Sequence, residues 1–472
     1  MSSVPLIVDL DGTLIRSDLL VESALAYIKP NPLRGFQLLG WLAGGKANLK
    51  GHLAAAVTLD VAHLPFDSAV LAMIAEEKAK GRPIILATAS HRKFADQVSA
   101  HLGHFDFVMA TDGAVNLSAN AKRDALVAKF GKGGFDYLGN SADDLPIWAA
   151  SGRAYAVNPS DAVERKARAL GNLEHVFKSN PGASWTKAMR LHQWAKNLLL
   201  FVPLLAGHRV AEIPLLVNAV IAFIVFGLCA SSVYLLNDLF DLADDRQHPT
   251  KRDRPFASGK LDIRLGLIAV PLLLIAAFAG SIAALPWQFT AALSTYYVLT
   301  LAYSLGLKRL MMIDVTVLAL LYTLRVIAGA FAIEVEPTFW ILAFSMFIFL
   351  SFGLVKRYTE LHQLRLRSSD EKARGRGYSL DDLGMISGLG AASGYISVLI
   401  LALYIQDQST VALYRHHEVI WLACPLLLFW ISRVWLLTYR GQMHEDPVVF
   451  AFSDRVSLVV GVLFGLVFWL AT

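Results

Sequence analysis

Three aspartates in the second half of the chain have a spacing that suits a divalent cation. Asp238, Asp241 and Asp245 follow a long apolar run, 213–236, where a buried helix would meet water. On an α-helix this spacing puts all three carboxylates on one face. Carboxylates so placed repel each other unless a hard cation lies between them, and Mg²⁺ with a phosphorylated substrate is the usual occupant. The sequence therefore predicts a magnesium site here.

A run of cations follows the acidic residues. It contains Arg246, Lys251, Arg252 and Arg254, with His248 among them. In a polyphosphate site the metal binds some oxygens and the cations bind the others. An ordinary positive loop between transmembrane helices is the alternative, but that alternative does not account for three aspartates on one face.

The whole stretch, NDxxDxxxD followed by HPTKRxRPxASG, resembles the first signature of the UbiA superfamily of intramembrane prenyltransferases, and most closely its decaprenyl-phosphate phosphoribosyltransferase branch. The resemblance implies that Asn237 joins the metal ligands and that Asp238 and Asp241 act in catalysis. The earlier pattern RxHQWxKN resembles the opening motif of the same branch, which implies that Lys196 and Asn197 face substrate phosphates. An ordinary snorkelling lysine is the alternative for Lys196.

The first part of the chain carries a different pattern. Helical patterns at 68–80 and 123–130 alternate with four short apolar runs, 4–9, 83–88, 105–110 and 135–139. This alternation predicts an α/β domain with a doubly wound parallel sheet. Ligands bind at the carboxyl ends of strands in such sheets. Polar residues occupy three of the predicted ends, namely Asp9, Asp11, Thr88, Asn140 and Asp144.

The DxDGT sequence at Asp9 resembles the haloacid-dehalogenase phosphatase superfamily, and the later motifs follow in that family's order. The resemblance implies that Asp9 is the nucleophile, that Asp11 is the general acid and base, and that Mg²⁺ is bound by Asp9, Asn140 and Asp144. It also implies that Thr88 and Lys122 bind the phosphoryl group. Asn140 departs from the family, which often has Asp there. A plain Asp-Gly turn is the alternative for Asp9 and Asp11.

Composition separates the two parts. The chain has 472 residues, of which 55% are hydrophobic and 17% charged, and its mean hydropathy is +0.49, too apolar for a soluble protein of this length. Residues 1–178 are predicted to form the phosphatase-like domain, with a small helical cap at about 17–67, and 179–472 to form the membrane domain. No signal peptide is expected, and the cysteines, Cys229 and Cys424, lie in apolar runs and indicate neither disulfides nor zinc.

The membrane domain is predicted to be an all-α bundle of about nine transmembrane helices, from nine apolar runs between 198 and 471. Basic residues concentrate in the connections 237–264 and 356–382, whereas the alternate connections hold only Arg209 and Arg415. This asymmetry predicts a multi-pass protein of a bacterial-type inner (plasma) membrane with a cytoplasmic N-terminal domain. The net charge of +5 is attributed to these loops and not to nucleic-acid binding.

Further cations lie in or beside the predicted membrane helices, where ionisable residues are expensive and usually functional. Lys308, Arg325, Lys356 and Arg357 are predicted to bind phosphate, with structural ion pairs as the alternative. The resemblance also implies a second acidic motif, DxxxD, for prenyl diphosphate donors, but the 356–382 loop has none and is rich in arginine.

The sequence thus favours phosphoribosyl pyrophosphate as the donor, a polyprenyl phosphate as the acceptor, and Mg²⁺ as the cofactor. The fused phosphatase is predicted to remove the 5-phosphate of the product. Prenyl transfer from a prenyl diphosphate to an aromatic acceptor is one alternative. A transporter or scaffold that tethers a phosphatase to the membrane is the other.

Overall fold

A computed structural model describes residues 4–112, 117, 119–178, 184–366, 377–443 and 446–472. The chain forms two compact units. Unit 1 comprises Met1–Met189 with Tyr234–Val270, and unit 2 comprises Arg190–Val233 with Pro271–Thr472. The acidic motif therefore belongs to the same unit as the N-terminal sheet. The functional boundary at 178/179 remains a prediction.

Unit 1 contains a six-stranded sheet in which every neighbouring pair is parallel, as the sequence predicts. The strand order is β3-β2-β1-β4-β5-β6. Because β1 and β4 lie side by side at the centre, the carboxyl ends that carry Asp9 and Asn140 are neighbours. The strands are β1 (Leu6–Val8), β2 (Ile84–His91), β3 (Phe107–Thr111), β4 (Asp136–Gly139), β5 (Ala154–Val157) and β6 (Leu173–Phe177).

Helices cover both faces of this sheet. Alternate residues of β1 explain why, since Leu6 and Val8 pack into one apolar cluster and Ile7 into another. The helices of the N-terminal segment are α1 (Leu19–Ile28), α2 (Gly35–Ala43), α3 (Lys46–Ala56), α4 (Ser68–Ala79), α5 (Arg92–Leu102), α6 (Ala119–Phe130), α7 (Leu145–Trp148), α8 (Asp161–Ala169) and α9 (Ser184–Ala188).

The interval predicted as a helical cap, 17–67, contains α1, α2 and α3. Helix α1 begins after Asp18, whose carboxylate accepts hydrogen bonds from the backbone N–H groups of Leu20 and Val21. Asp67 caps α4 in the same way and ends the interval. These side-chain caps satisfy N–H groups that the first turn of a helix leaves without partners.

The remaining helices form the membrane part. They are α10 (Val202–Ala206), α11 (Ile213–Phe240), α12 (Leu242–Gln247), α13 (Ile263–Ala284), α14 (Trp287–Leu305), α15 (Ile313–Ala332), α16 (Phe339–Leu366), α17 (Leu383–Ile405), α18 (Gln408–Leu413), α19 (Ala423–Tyr439), α20 (Pro447–Ser453) and α21 (Arg455–Ala471).

The predicted count of nine membrane helices is not supported. Within the described ranges, six helical segments are long and apolar enough to cross a membrane, or seven if α20 and α21, bent by 82°, form one span. The first predicted run folds as a 3₁₀ stretch, Leu191–Phe201, followed by the short α10. Helix α14 fails on composition, because polar side chains such as Gln288, Thr290 and Ser294 interrupt its apolar sequence.

Candidate functional site

The polar residues at the carboxyl edge of the sheet form one buried network. Lys122, from α6, donates a hydrogen bond of 2.7 Å to Asp9 Oδ1 at the end of β1. It also donates to the hydroxyl of Tyr137 at 3.1 Å, and that hydroxyl donates to Asp144 Oδ1 at 2.8 Å. All four side chains are buried. The structure therefore brings together Asp9, Lys122 and Asp144 as the sequence predicts, and adds Tyr137.

Charge and burial oppose each other in this network. Burial raises the pKa of Asp9 to about 7, since Lys122 only partly offsets it and the nearby Asp144 and Asp11 raise it further. Burial alone lowers the pKa of Lys122, but Asp9 and Asp144 reverse the effect and raise it above its usual value. Lys122 thus keeps its proton and charge. A cation of this kind stabilises both a carboxylate nucleophile and a phosphoryl group.

Asp11 is held by groups from two other elements. Its Oδ1 accepts from the backbone N–H of Leu19 at 2.8 Å. Its Oδ2 accepts from the Ser90 hydroxyl at 2.6 Å and from the Thr88 hydroxyl at 3.4 Å. Thr88 therefore lies at the site as predicted. Ser90 does too, although no role was predicted for it, and its position two residues after Thr88 on one strand was the available signal.

The predicted magnesium ligands of this site, Asp9, Asn140 and Asp144, line one cavity. Asp144 is fixed by backbone N–H groups of Asn140 and Ser141, each 2.9 Å from its Oδ2. The Asn140 amide packs against the DxDGT turn, where a Cβ on Gly12 would lie 2.1 Å from Asn140 Nδ2. Two carboxylates and an amide oxygen are hard oxygen donors of the kind that Mg²⁺ prefers. The residues therefore fit the cation.

Lys50 of the cap is a further member of the site that the sequence did not indicate. It is buried, and its ammonium donates to the backbone oxygen of Ala89 at 2.6 Å. Burial lowers its pKa, which the charge of Asp11 partly opposes. Nothing in the spacing of α3 relates Lys50 to Ala89, because the contact joins segments far apart in sequence.

The prediction that the three aspartates of the acidic motif lie on one face of a continuous helix is wrong. Helix α11 ends at Phe240, Asp241 lies in a turn, and α12 begins at Leu242. Asp238 and Asp245 converge, but Asp241 does not join them, and the described residues contain no group of three or more acidic, histidine or cysteine side chains placed to hold a metal. The break in the helix is the physical reason.

An arginine lies between the two converging carboxylates. Arg254 Nη1 is 3.1 Å from Asp238 Oδ1 and 2.7 Å from Asp245 Oδ2. Burial raises the pKa of Asp245, while Arg254 opposes the shift. The guanidinium thus neutralises carboxylates that the sequence assigned to a metal. The other predicted ligands are less enclosed: Asn237 is partly buried in α11, and Lys251 and Arg252 are exposed in a 3₁₀ turn.

Ion pairs connect the acidic motif with the cap inside unit 1. Arg246 of α12 forms a buried two-fold contact with Glu22 of α1, at 2.7 and 2.8 Å. Lys29, at the end of α1, lies 3.1 Å from Asp241 Oδ1 and 2.6 Å from Asp244 Oδ2. Bidentate hydrogen bonds between an arginine guanidinium and a carboxylate are among the strongest ion pairs in proteins. The sequence gave no indication of these pairs, since their partners are more than 200 residues apart.

Unit 2 gathers several predicted phosphate ligands around one carboxylate. Lys196 Nζ lies 2.8 Å from Asp446 Oδ2, and Lys356 Nζ lies 3.7 Å from the same atom. The Tyr322 hydroxyl donates to both oxygens of Asp446 at 3.0 Å. Asp446 is nearly buried, so it orients the two lysines. The central position of Asp446 emerges only from the fold.

Arg325 and Asn197 adjoin this group. Arg325 Nε donates to Asn197 Oδ1 at 3.1 Å, Nη1 to the backbone oxygen of Leu321 and Nη2 to the Tyr296 hydroxyl. Both residues are buried, and the Nδ2 of Asn197 has no hydrogen-bond partner among the described residues. A buried amide nitrogen without a partner is costly, which is consistent with a ligand group that supplies an acceptor.

Arg357 belongs to a different network. It is almost fully buried, its Nε lies 2.5 Å from Asp314 Oδ2, and it also pairs with Glu360. The Tyr303 hydroxyl accepts a hydrogen bond from Arg357 Nη2, and the Tyr378 hydroxyl donates one to Asp314 Oδ1. The structure thus places Arg357 in an internal ion pair. Lys308 is partly buried in the 3₁₀ turn Leu307–Arg309, and the arginine-rich residues 367–376 lie outside the described ranges.

Sequence comparisons bear on the whole chain. The profile of the UbiA prenyltransferase family matches residues 199–470. The uncharacterized protein y4nM of Sinorhizobium fredii is 36% identical, over 99% of this chain and 91% of that protein. A decaprenyl-phosphate phosphoribosyltransferase of Mycobacterium tuberculosis is 30% identical, over 62% of this chain and 94% of that enzyme. The similarity to y4nM extends over both parts of the chain.

Solved structures resemble each part separately. A UbiA homologue from Archaeoglobus fulgidus bound to DMAPP and Mg²⁺ has a TM-score of 0.47 and 16% identity, over 61% of this chain and 99% of that one. A substrate-bound phosphoserine phosphatase has a TM-score of 0.28 and 15% identity, over 38% of this chain and 94% of that one.

Proposed function

This chain belongs to the UbiA prenyltransferase family, and from that premise we propose that its membrane part transfers a phosphoribosyl group from phosphoribosyl pyrophosphate to a polyprenyl phosphate. The main support is the 30% identity to a decaprenyl-phosphate phosphoribosyltransferase over 94% of that enzyme. The absence of a second DxxxD in the 356–382 sequence agrees with this donor, because only one acidic motif remains for one diphosphate.

Two groups of side chains, one within each unit, are suited to binding phosphates. In unit 1 Asp238, Asp241 and Asp245 would hold Mg²⁺ only if Arg254 left Asp238 and Asp245 and Asp241, now paired with Lys29, moved towards them. In unit 2 Lys196 and Lys356 bear charge that a single carboxylate, Asp446, only partly neutralises. The first group suits a diphosphate with its metal, and the second suits a phosphate monoester.

The proposed transfer needs no strong base. An oxygen of the acceptor phosphate, already anionic, attacks the anomeric carbon of ribose, and the bond from that carbon to the diphosphate breaks. Mg²⁺, when bound, supplies charge that assists the departure of diphosphate. The contribution of the protein is then to position the two substrates and to neutralise their phosphates with side chains such as Lys196 and Lys356.

We propose that the N-terminal part is a phosphatase for the product of this transfer. The observation that supports it is the buried contact of Lys122 with Asp9 beside Asp11, Thr88 and Asp144. Asp9 attacks the phosphorus of the 5-phosphate, the bond to the ribose oxygen breaks, and Asp11 protonates that oxygen. Water then hydrolyses the aspartyl phosphate while Asp11 takes its proton, which releases inorganic phosphate.

Orientation and localisation are part of the proposal. The chain is a multi-pass membrane protein, and the basic connections favour an inner membrane with both active sites on the cytoplasmic side. A product made and trimmed on one side of the membrane stays near the tethered phosphatase. A short tether can provide an effective concentration of about a millimolar.

The donor is tested with membranes that contain the purified protein, a polyprenyl phosphate and one labelled donor at a time. Label from phosphoribosyl pyrophosphate is expected in the lipid fraction in the presence of Mg²⁺ and not after chelation. The control is the Asp241→Asn variant in the same membranes. Prenylation of an aromatic acceptor such as 4-hydroxybenzoate, without ribosyl transfer, would refute the proposed donor.

A further inference from the structure

A cavity of about 780 Å³ opens above Asp9 and Asp11. Clefts of ~300–1,000 Å³ are the size that buries a ligand much larger than one phosphate group. One wall carries the phosphatase residues Asp9, Lys122 and Asn140. Residues 259–265, which follow the acidic motif in sequence and belong, like the rest of the cavity, to unit 1, form another part of its wall.

The position of residues 259–265 is fixed by tight packing. Gly259 has φ +68°, and a Cβ there would lie 2.4 Å from Arg16 Cβ and 2.7 Å from the Arg16 backbone oxygen. Arg16 leads from the DxDGT turn into the cap. A side chain at 259 would thus collide with the phosphatase itself, while the conformation also favours glycine. The segment is therefore a built wall of the cavity.

Two cations on this wall have exposed side chains. Lys260 is exposed, and Arg264 is 60% exposed while its Nη2 pairs with Asp18, the residue that caps α1. The nearby carboxylate of Asp262 is engaged by the backbone N–H of Arg264 at 2.8 Å. Lys260 and Arg264 both line the cavity and thus offer donors to an anion that lies in it.

The same wall continues into apolar surface. Leu265 is 49% exposed and lies in the first turn of α13, a helix apolar and long enough to cross a membrane. Trp185, 38% exposed, lines the cavity as well. Tryptophan commonly occupies the boundary between lipid and water. The cavity therefore joins a phosphomonoester site to the beginning of a membrane helix.

We propose that residues 259–265 form a second subsite of the phosphatase, which selects a phosphomonoester carried on a lipid. In this subsite Lys260 and Arg264 bind the phosphodiester that links the sugar to the lipid, while Trp185 and Leu265 contact the first part of the lipid chain. The terminal phosphate meanwhile reaches Asp9. This inference rests on the proposed function of the phosphatase and assigns its substrate preference to a segment of the transferase sequence.

The test compares two substrates in the full-length protein. One is ribose 5-phosphate in solution, and the other is polyprenyl-phosphoryl-ribose 5-phosphate in vesicles of phosphatidylcholine. For Arg264→Ala and Lys260→Ala, KM for the lipid-linked substrate is expected to rise about tenfold, the effect of one lost charge-assisted hydrogen bond. Hydrolysis of ribose 5-phosphate is expected to stay unchanged, which also shows that the variants fold.

Two matched variants control the experiment. Arg168→Ala removes an arginine of similar exposure, 62%, that pairs with Glu164 and does not line the cavity, and both substrates should be hydrolysed as by the parent. Arg264→Lys keeps the charge and should recover most of the loss. Equal KM changes for both substrates, or no change for either, overturn the subsite while the proposed function stands. A parent that hydrolyses ribose 5-phosphate but not the lipid-linked substrate overturns the proposed function, and the subsite with it.

Discussion

Each of the two acidic sites of unit 1 is paired with a basic side chain of the protein, but the two arrangements differ. At the carboxyl edge of the sheet, Lys122 of α6 contacts Asp9 at the end of β1, and both side chains are buried. At the acidic motif Arg254 lies between Asp238 and Asp245 with its side chain 28% exposed, and Asp241 lies apart with Lys29. The first site is thus held together by buried contacts. The second would have to exchange protein cations for a metal before it could act as the proposed magnesium site.

This difference follows from the elements that position the carboxylates. Parallel strands bring Asp9 and Asn140 together because neighbouring strands end at one edge. A helix places residues on one face only while it continues, and α11 stops at Phe240 before the motif is complete. We therefore expect substitutions at the first site to change the rate of hydrolysis. Substitutions at the second site are expected to change both the rate of transfer and the affinity for Mg²⁺.

The largest effect is expected for Asp9→Asn. An amide cannot form the aspartyl phosphate, so hydrolysis of ribose 5-phosphate should fall about a thousandfold or more, the scale on which loss of a nucleophile acts. Transfer of ribosyl label to lipid should continue at the parental rate. A phosphate-release assay and a lipid-extraction assay on one preparation measure both. Residual hydrolysis near the parental rate would show that Asp9 is not the nucleophile.

The converse variant, Asp241→Asn, should abolish transfer and spare hydrolysis. Loss of a metal ligand should exceed the ~10–100-fold cost known for groups that merely support ligands. The matched control is Asp244→Asn, which removes the neighbouring partner of Lys29 without changing a predicted ligand. If both variants transfer as well as the parent, Asp241 has no place in the metal site.

Loss of the buried contact between Glu22 and Arg246 should destabilise unit 1, which contains both sites. Glu22→Ala leaves a buried guanidinium without its carboxylate, which should lower the free energy of unfolding by roughly 3–5 kcal/mol. The comparison is Glu76→Ala, which removes a 69% exposed partner of Lys80 and should leave Tm unchanged. Thermal unfolding in detergent is the measurement. Equal Tm values for the two variants would mean that the buried pair contributes no stability.

A smaller effect is expected for Lys29→Ala. Lys29 competes with a metal for Asp241, so its removal should lower the Mg²⁺ concentration that half-saturates transfer. About a two- to fivefold change corresponds to the ~1 kcal/mol or less of a half-exposed pair. Lys80→Ala, which removes an exposed lysine directly after α4, should leave the titration unchanged. An increase in the half-saturating concentration would contradict competition and indicate that Lys29 assists the site.

The smallest effect is expected for Asn140→Asp. A third carboxylate raises the charge of the magnesium ligands beside Asp9, and ligand charge tunes the affinity for hard cations. The half-saturating Mg²⁺ concentration for hydrolysis of ribose 5-phosphate should fall by about twofold or less. The Mg²⁺ titration of transfer should not move, because Asn140 belongs to the other site. Weaker magnesium binding would show that the Asn140 amide, which packs on Gly12, cannot be exchanged.

The sequence predicted the parallel sheet more accurately than the number of membrane helices. The alternation of apolar runs predicted a parallel sheet, and Asp9, Thr88 and Asp144 fell at its carboxyl edge because that edge is a property of the topology. The short strands β5 and β6 carried too little pattern to be recognised. Length and composition decide whether an apolar run forms a helix that could cross a membrane. Helix α14 does not qualify, because polar side chains interrupt its apolar sequence.

The missed residues share one cause. Lys50, Glu22 and Asp446 each make their important contact with a residue remote in sequence, and no local spacing encodes such a contact. The break after Phe240 was equally hidden, because the spacing of the aspartates is compatible with a continuous helix. Motifs therefore gave the types of residue at each site, while the fold decided which of them meet.

The central claim, that one chain makes a lipid-linked ribose phosphate and then removes its phosphate, is tested most directly with doubly labelled donor. Phosphoribosyl pyrophosphate carrying ¹⁴C in ribose and ³²P in the 5-phosphate is supplied with a polyprenyl phosphate. The parent should place ¹⁴C in the lipid and release ³²P as inorganic phosphate, whereas Asp9→Asn should retain both labels in the lipid. Lipid from the parent that keeps ³²P in proportion to ¹⁴C, or lipid that acquires neither label, would contradict the account.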